Sequence, residues 1–195
     1  MGGNTYRVSD IGSDNFRGYN SADIDSGIVR NTDQRISFTG EYMIRLADSK
    51  DLEAINELRR QVNDIHVNGR PDIFKPGFCK ELQDHAEWYL SSDNNDIFVD
   101  EQEGKIAGMV MVDYISKPES PYGFARDFCH IAEICVDKEY RRRGIAHSLI
   151  ERVKEEAQKR GLSKIELDVW AFNDAATFYE AEGFKPFRTF LEYDV

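Results

Sequence analysis

Cysteine is scarce in this 195-residue chain: Cys79, Cys129 and Cys135 are an odd set with no C-x-x-C pair. That argues against a disulfide framework or a thiolate zinc site and suits a reducing compartment, so a cytoplasmic setting is expected. The four histidines, His66, His85, His130 and His147, form no H-E-x-x-H pair, and no metal is expected. No apolar run approaches the ~20 residues that cross a bilayer, and the N-terminus lacks the basic-then-apolar order of a signal peptide. Neither membrane association nor secretion is therefore expected. Basic residues are also short: 25 Lys and Arg against 36 Asp and Glu leave a net charge of −11. That balance disfavours a nucleic-acid partner, whose phosphates must be neutralised, and suits a cationic small molecule or peptide amine. The nucleotide loops G-x-x-x-x-G-K-[ST] and G-x-G-x-x-G are both missing, which disfavours ATP and NAD.

What remains is a globular composition, 41% hydrophobic and 31% charged, long enough for one domain with a real core. Residues 1–41 hold six of the fourteen glycines and scattered apolar residues without a period, and read as a loosely packed N-terminal extension or a leader. Met43, where patterning begins, is a candidate natural start. Residues 42–195 then read as one domain. A strand over Tyr42–Leu46 precedes a helix capped by Asp48, with an apolar stripe at Leu52, Ile55, Leu58, Val62 and Ile65. An irregular loop is expected over His66–Gly77, then a helix with Phe78, Leu82, Ala86 and Leu90 on one face. Asp96–Asp100 and Lys105–Ser116 read as a hairpin, and His130–Val136 as a strand. A long helix follows, striped by Ala146, Leu149, Ile150, Val153 and Ala157 and stopped by Gly161. A strand over Lys164–Ala171, a short helix from Asn173 to about Ala181 and a last strand near Phe187–Tyr193 complete an α/β (α+β) chain on a mixed sheet.

The turn Arg141-Arg142-Arg143-Gly144-Ile145-Ala146 joins a strand end to a helix N-terminus. Amide N–H groups, the positive end of the helix dipole and three guanidinium groups make it a candidate anion site, with pyrophosphate as the natural occupant. A solvated basic run before an ordinary helix is the alternative. The segment resembles the acyl-CoA signature [Gln/Arg]-x-x-Gly-x-[Gly/Ala] of the GNAT superfamily of N-acyltransferases. A second block matches in order: Asn173, Ala175-Ala176, Phe178-Tyr179 and Glu182-Gly183-Phe184. The likeness covers roughly residues 42–195, and its specificity is concentrated in 130–184.

The resemblance implies a strongly twisted mixed sheet flanked by helices, with strand Ile134–Val136 splayed from Lys164–Ala171 at an acyl-CoA cleft. It implies that backbone groups of Ile134, Cys135 and Val136 hold the pantetheine and that the amides of Arg142–Ala146 hold the pyrophosphate beside Arg141. Asn173, Phe178 and Tyr179 would complete the cofactor site. The expected activity is acetyl transfer from acetyl-CoA to a primary amine of a small molecule or peptide, by direct attack. The alternative is an acyl-CoA-binding or regulatory module without turnover. A neutral amine must lose a proton and the departing thiolate must gain one. Tyr179 is the expected acid. His130, at the position of the base in histone-type and arylalkylamine-type members, and Glu133 are both candidates for the base, and water alone is a third. Cys135 reads as a small buried hydrophobe rather than a nucleophile. His147 stands where a phosphate-binding hydroxyl is often found. Phe74, Asp72 and Tyr193 are candidate acceptor contacts, and Glu166 and Asp168 face either solvent or substrate. Homodimers are common in the superfamily, but the sequence singles out no interface.

Overall fold

The computed structural model describes residues 36–38 and 42–195. Six strands form one sheet in chain order: β1 (Ile36–Phe38), β2 (Tyr42–Leu46), β3 (Asn95–Gln102), β4 (Lys105–Lys117), β5 (Arg126–Val136) and β6 (Ile165–Leu167). Neighbours are antiparallel except the parallel pair β5–β6, so the sheet is mixed, as expected. The backbone of β1 pairs with β2; the rest of the expected extension lies outside the described residues.

Helices cover both faces. On one lie α1 (Leu52–Gly69) and α2 (Lys80–Ser91), whose Ile55, Leu58, Ala86 and Tyr89 pack with Ile97, Val99, Met109, Met111 and Cys135. On the other lies α3 (Ile145–Lys159), packing Ile145, Leu149, Ile150 and Val153 on Phe98, Val110, Val112, Cys129 and Ile131. Asp48 caps a 3-10 turn, Ser49–Asp51, which leads into α1. The expected loop at His66 begins later, because α1 runs on to Gly69. Among the described residues no helix is long and apolar enough to cross a membrane.

Three expectations need correction. Ile145, not Ala146, enters the core from the first turn of α3. The strand expected over Lys164–Ala171 ladders only at Ile165–Leu167, since β5 leaves its neighbour beyond Ile131. The chain beyond α4 (Ala175–Ala181) forms no strand near Phe187–Tyr193; Phe187, Phe190, Leu191 and Tyr193 are exposed.

One irregularity shapes the centre of the molecule. Met111 pairs with Glu133 but Val112 pairs with Ile131, so Ala132 is an unpaired bulge in β5. A bulge bends its strand and reverses the alternation of faces beyond it. Before it, Cys129 and Ile131 face α3; after it, Cys135 faces α1 and α2. The ladder to β6 stops at Ile131, immediately before the bulge. Residues 132–136 therefore keep β4 on one side and lack a β6 partner on the other, which is the expected splay.

Candidate functional site

The parity change gathers two side chains that regular alternation would separate. Glu133 turns toward α1, where Arg59 Nε donates to its Oε2 at 3.0 Å. His130 sits opposite Asp113 on β4, and Tyr89 of α2 donates to that carboxylate at 2.6 Å, which puts His130 on the same face. Both candidate bases thus lie on the α1–α2 side, flanking the bulge. Burial pushes the Glu133 carboxyl above the usual carboxylate range, while the charge and hydrogen bond of Arg59 work against that rise. Burial likewise raises the Cys135 thiol to about 12, with the Glu133 charge adding to the effect. That makes Cys135 a poor nucleophile, in keeping with its apolar reading.

The loop from β5 to α3 is pinned at Asp137. Asp137 N–H donates to Ala107 O at 2.9 Å, and Asp137 Oδ1 accepts from Glu139 N–H at 2.8 Å. Gln61 of α1 holds the other Asp137 oxygen at 2.9 Å. Arg142 (φ 66°) and Gly144 (φ 83°) both adopt left-handed backbone. Gly144 is the cap of α3 and supplies no side-chain acceptor, and no acidic residue lies in the first turn. The first amides of α3 are consequently uncapped donors at the positive end of its dipole. Arg141, Arg142 and Arg143 are all exposed around them. Arg141 Nε donates to Val136 O at 3.2 Å, so that guanidinium spans from the loop to the unladdered stretch of β5. Gly108 allows the close approach of α3: a Cβ there would meet Ile145 Cγ2 at 2.8 Å and Cys135 O at 3.1 Å.

Tyr179 lies on α4, half-buried against Phe178 and Phe184 with ring centroids 5.4 and 5.9 Å away. Gly183 (φ 91°) turns the chain so that Phe184 N–H returns to Tyr179 O at 3.0 Å. Burial pushes the phenol above its usual range, so it stays protonated. Asn173 has a local role: its Oδ1 accepts from Ala175 N–H at 3.0 Å and opens α4. His147 Nδ1 lies 2.8 Å from Glu182 Oε1, tying the first turn of α3 to the end of α4. With Glu151 these residues bring three potential metal ligand atoms within 4.8 Å. Lys154, however, already sits 2.7 Å from Glu151 and 3.6 Å from Glu182.

Of the expected acceptor contacts, Phe74 stacks on His66 at 4.9 Å and meets Trp170 edge-on at 5.3 Å. Asp72 is held by Arg70 at 2.6 Å, Tyr193 is exposed, and Glu166 pairs with Arg126 at 2.7 Å. Sequence reading missed Arg59, Arg70 and Trp170. Arg59 meets Glu133, Arg70 meets Glu192 and Trp170 meets Phe74, all far apart along the chain, and no spacing rule joins these pairs.

The profile described as the acetyltransferase (GNAT) family matches residues 60–184. An uncharacterised N-acetyltransferase of Methanocaldococcus jannaschii is 38% identical over 104 residues, which are 52% of this chain and 44% of that protein. N-acetyltransferase 8 of Homo sapiens is 31% identical over 108 residues, 55% of this chain and 46% of that protein. The matched chain thus spans less than half the length of either relative. A mutant of the BH1408 protein from Bacillus halodurans superposes with a TM-score of 0.75 at 27% identity, covering 78% of this chain and 98% of that one. A predicted acetyltransferase of Clostridium acetobutylicum, solved with acetyl-CoA, shares the fold at TM-score 0.61 and 21% identity, over 78% of this chain and 96% of the other.

Proposed function

The chain belongs to the acetyltransferase (GNAT) family, and from that premise we propose that it transfers an acetyl group from acetyl-CoA to an amine within a ternary complex. One observation carries the reading: β5 parts from β6 at the Ala132 bulge, and the same strand leads through a short loop into an uncapped helix N-terminus ringed by exposed arginines. A pantetheine arm needs an open strand edge, and a pyrophosphate needs convergent amides and positive charge. The backbone of Ile134, Cys135 and Val136 is assigned to the first. The amides of Arg142, Arg143, Gly144, Ile145 and Ala146, with the three guanidinium groups, are assigned to the second. Acetyl-CoA bound by the Clostridium acetobutylicum neighbour supports the choice of cofactor.

In the proposed reaction the neutral amine attacks the thioester carbonyl carbon, forming the C–N bond as the C–S bond breaks. The amine's proton passes to Glu133, directly or through one water, and the departing sulfur takes the proton of the Tyr179 hydroxyl. Glu133 is preferred over His130 because it lies beyond the bulge, on the stretch without a β6 partner, whereas His130 is still laddered to Glu166. Phe178 and Asn173 shape and open the helix that carries Tyr179. The acceptor is an amine of a small molecule or peptide, consistent with the net charge of −11. Amine-dependent release of free CoA across a panel of polyamines, arylalkylamines and peptide amines tests the reading. Turnover with at least one amine, lost in Glu133→Gln, is expected. Acetyl-CoA binding without turnover across the panel would instead favour an acyl-CoA-binding module.

A further inference from the structure

Arg59 is a buried, multiply bonded cation on the α1–α2 face, and no motif singled it out. Its side chain is 6% exposed. Nε donates to Glu133 Oε2 at 3.0 Å, Nη1 donates to Leu82 O, and Nη2 lies 3.4 Å from His85 Nδ1. Asn56 Oδ1, one turn back on α1, is 3.5 Å from Nη1, and the guanidinium carbon sits 5.5 Å from the Phe78 ring centre. A guanidinium only donates, so the nitrogen of His85 facing it must be the acceptor of a neutral ring. Burial, with the Arg59 charge second, pushes the imidazole below its usual range and keeps that ring neutral. The fork therefore binds α1, α2 and the bulged strand at a single point. Glu133 Oε1 accepts no hydrogen bond among the described residues, and the Glu133 side chain keeps 18% exposure.

We propose that Arg59 is a positioning residue for Glu133: it anchors one carboxylate oxygen, leaves the other free for the acceptor amine or its water, and holds the group ionised. The proposal rests on the reading of Glu133 as the base. Three features give the arrangement its logic. A carboxylate in a nearly dry site is costly without a partner, and the guanidinium supplies the compensating charge. The planar fork fixes where that charge sits, which a flexible ammonium could not do for four partners at once. Because Leu82 O and His85 both lie on α2, movement of α2 or of the loop joining it to α1 would shift Arg59 and alter the base. The other groups near Glu133 are the phenol of Tyr89, the thiol of Cys135 and, through Tyr89, the carboxylate of Asp113. The imidazole of His130 lies on the same face across the bulge, but Arg59 is the cation bonded to the Glu133 carboxylate.

The test separates this proposal from the reading beneath it. Carbon-13 NMR of labelled glutamate side chains, with the Glu133 resonance assigned by its loss in Glu133→Gln, follows the ionisation of that carboxyl directly and needs no acceptor. In Arg59→Met the midpoint is expected to rise by at least one pH unit, a tenfold change in the ratio of ionised to protonated carboxyl at fixed pH. Arg59→Lys should keep the midpoint within half a unit but lower amine turnover at least tenfold, because charge is retained and the fork is lost. An unmoved midpoint in Arg59→Met, or full turnover in Arg59→Lys, would overturn the proposal. Should Arg59→Met fail to fold, Arg59→Lys and His85→Ala carry the test; unchanged midpoint and turnover in both would refute it. Failure of the base reading looks different: Glu133→Gln would then keep wild-type turnover whatever the Arg59 variants do.

Discussion

At the scale of single residues, the proposed base and acid are both held away from their ordinary acidities. Glu133 works as a base only when ionised, and its carboxyl is held up chiefly by burial. The acid limb of kcat/KM is therefore expected above the ordinary carboxylate range, with activity falling as pH drops through it, and Glu133→Gln should abolish that limb. A pH–rate series on both proteins checks this. Tyr179 is raised in the direction that keeps it protonated, so its alkaline limb should lie beyond that of a free phenol. Tyr179→Phe is expected to lower kcat by about 10²–10⁴-fold while leaving acetyl-CoA affinity within about twofold, as steady-state kinetics and calorimetry would read. Tyr179 was legible in the sequence because Gly183 and Phe184 follow it in a recognisable order. Arg59 was not: its partner lies 74 residues away, and only the folded sheet brings the two together.

At the scale of elements, α3 was legible except at its first turn, where Ile145 rather than Ala146 enters the core. Gly144 and Gly161, both with positive φ, bracket it, and its stripe has helical spacing. The two glycines beside its first turn should respond differently to alanine. Gly108→Ala drives a methyl into Ile145 and the Cys135 carbonyl, and should cost about 1–3 kcal/mol in a denaturant melt. Gly144→Ala meets nothing within 4 Å but strains a left-handed residue, so a cost of about 1–2 kcal/mol is expected, with weaker acetyl-CoA binding from the displaced amides. The Ala132 bulge, which makes the splay, was invisible, because alanine carries no signal for a register shift. The last strand was misjudged for a related reason. Phe190 and its neighbours carry strand propensity, but a strand exists only where another offers a ladder, and β6 is three residues long.

At the scale of the whole molecule, two cores on opposite faces of one sheet leave the central strands nearly dry, and buried charges must be paired. Arg45 on β2 grips Asp51, just before α1, at 2.6 and 2.8 Å, and joins Glu101 on β3 at 2.9 Å. Burial pushes Asp51 up, but the Arg45 bonds and the Asp48 N–H outweigh it and leave the carboxyl below the ordinary 3.8. A pKa lowered on folding gives stability that is present above the unfolded value and lost as pH falls through the folded one. Thermal melts should therefore weaken steeply below about pH 4. Asp51→Asn should show a lower Tm at pH 7 and a flatter acid slope.

In the proposed reaction the open edge of β5 and the uncapped start of α3 form an acyl-CoA seat. A thermal melt of the full chain with acetyl-CoA, beside acetyl-pantetheine and the Gly144→Ala protein, checks that seat. Acetyl-CoA at ~100 times its dissociation constant is expected to stabilise the fold by about 2.7 kcal/mol. The shift should shrink for acetyl-pantetheine, which lacks the pyrophosphate, and again for Gly144→Ala. A melt unmoved by millimolar acetyl-CoA would contradict the claim.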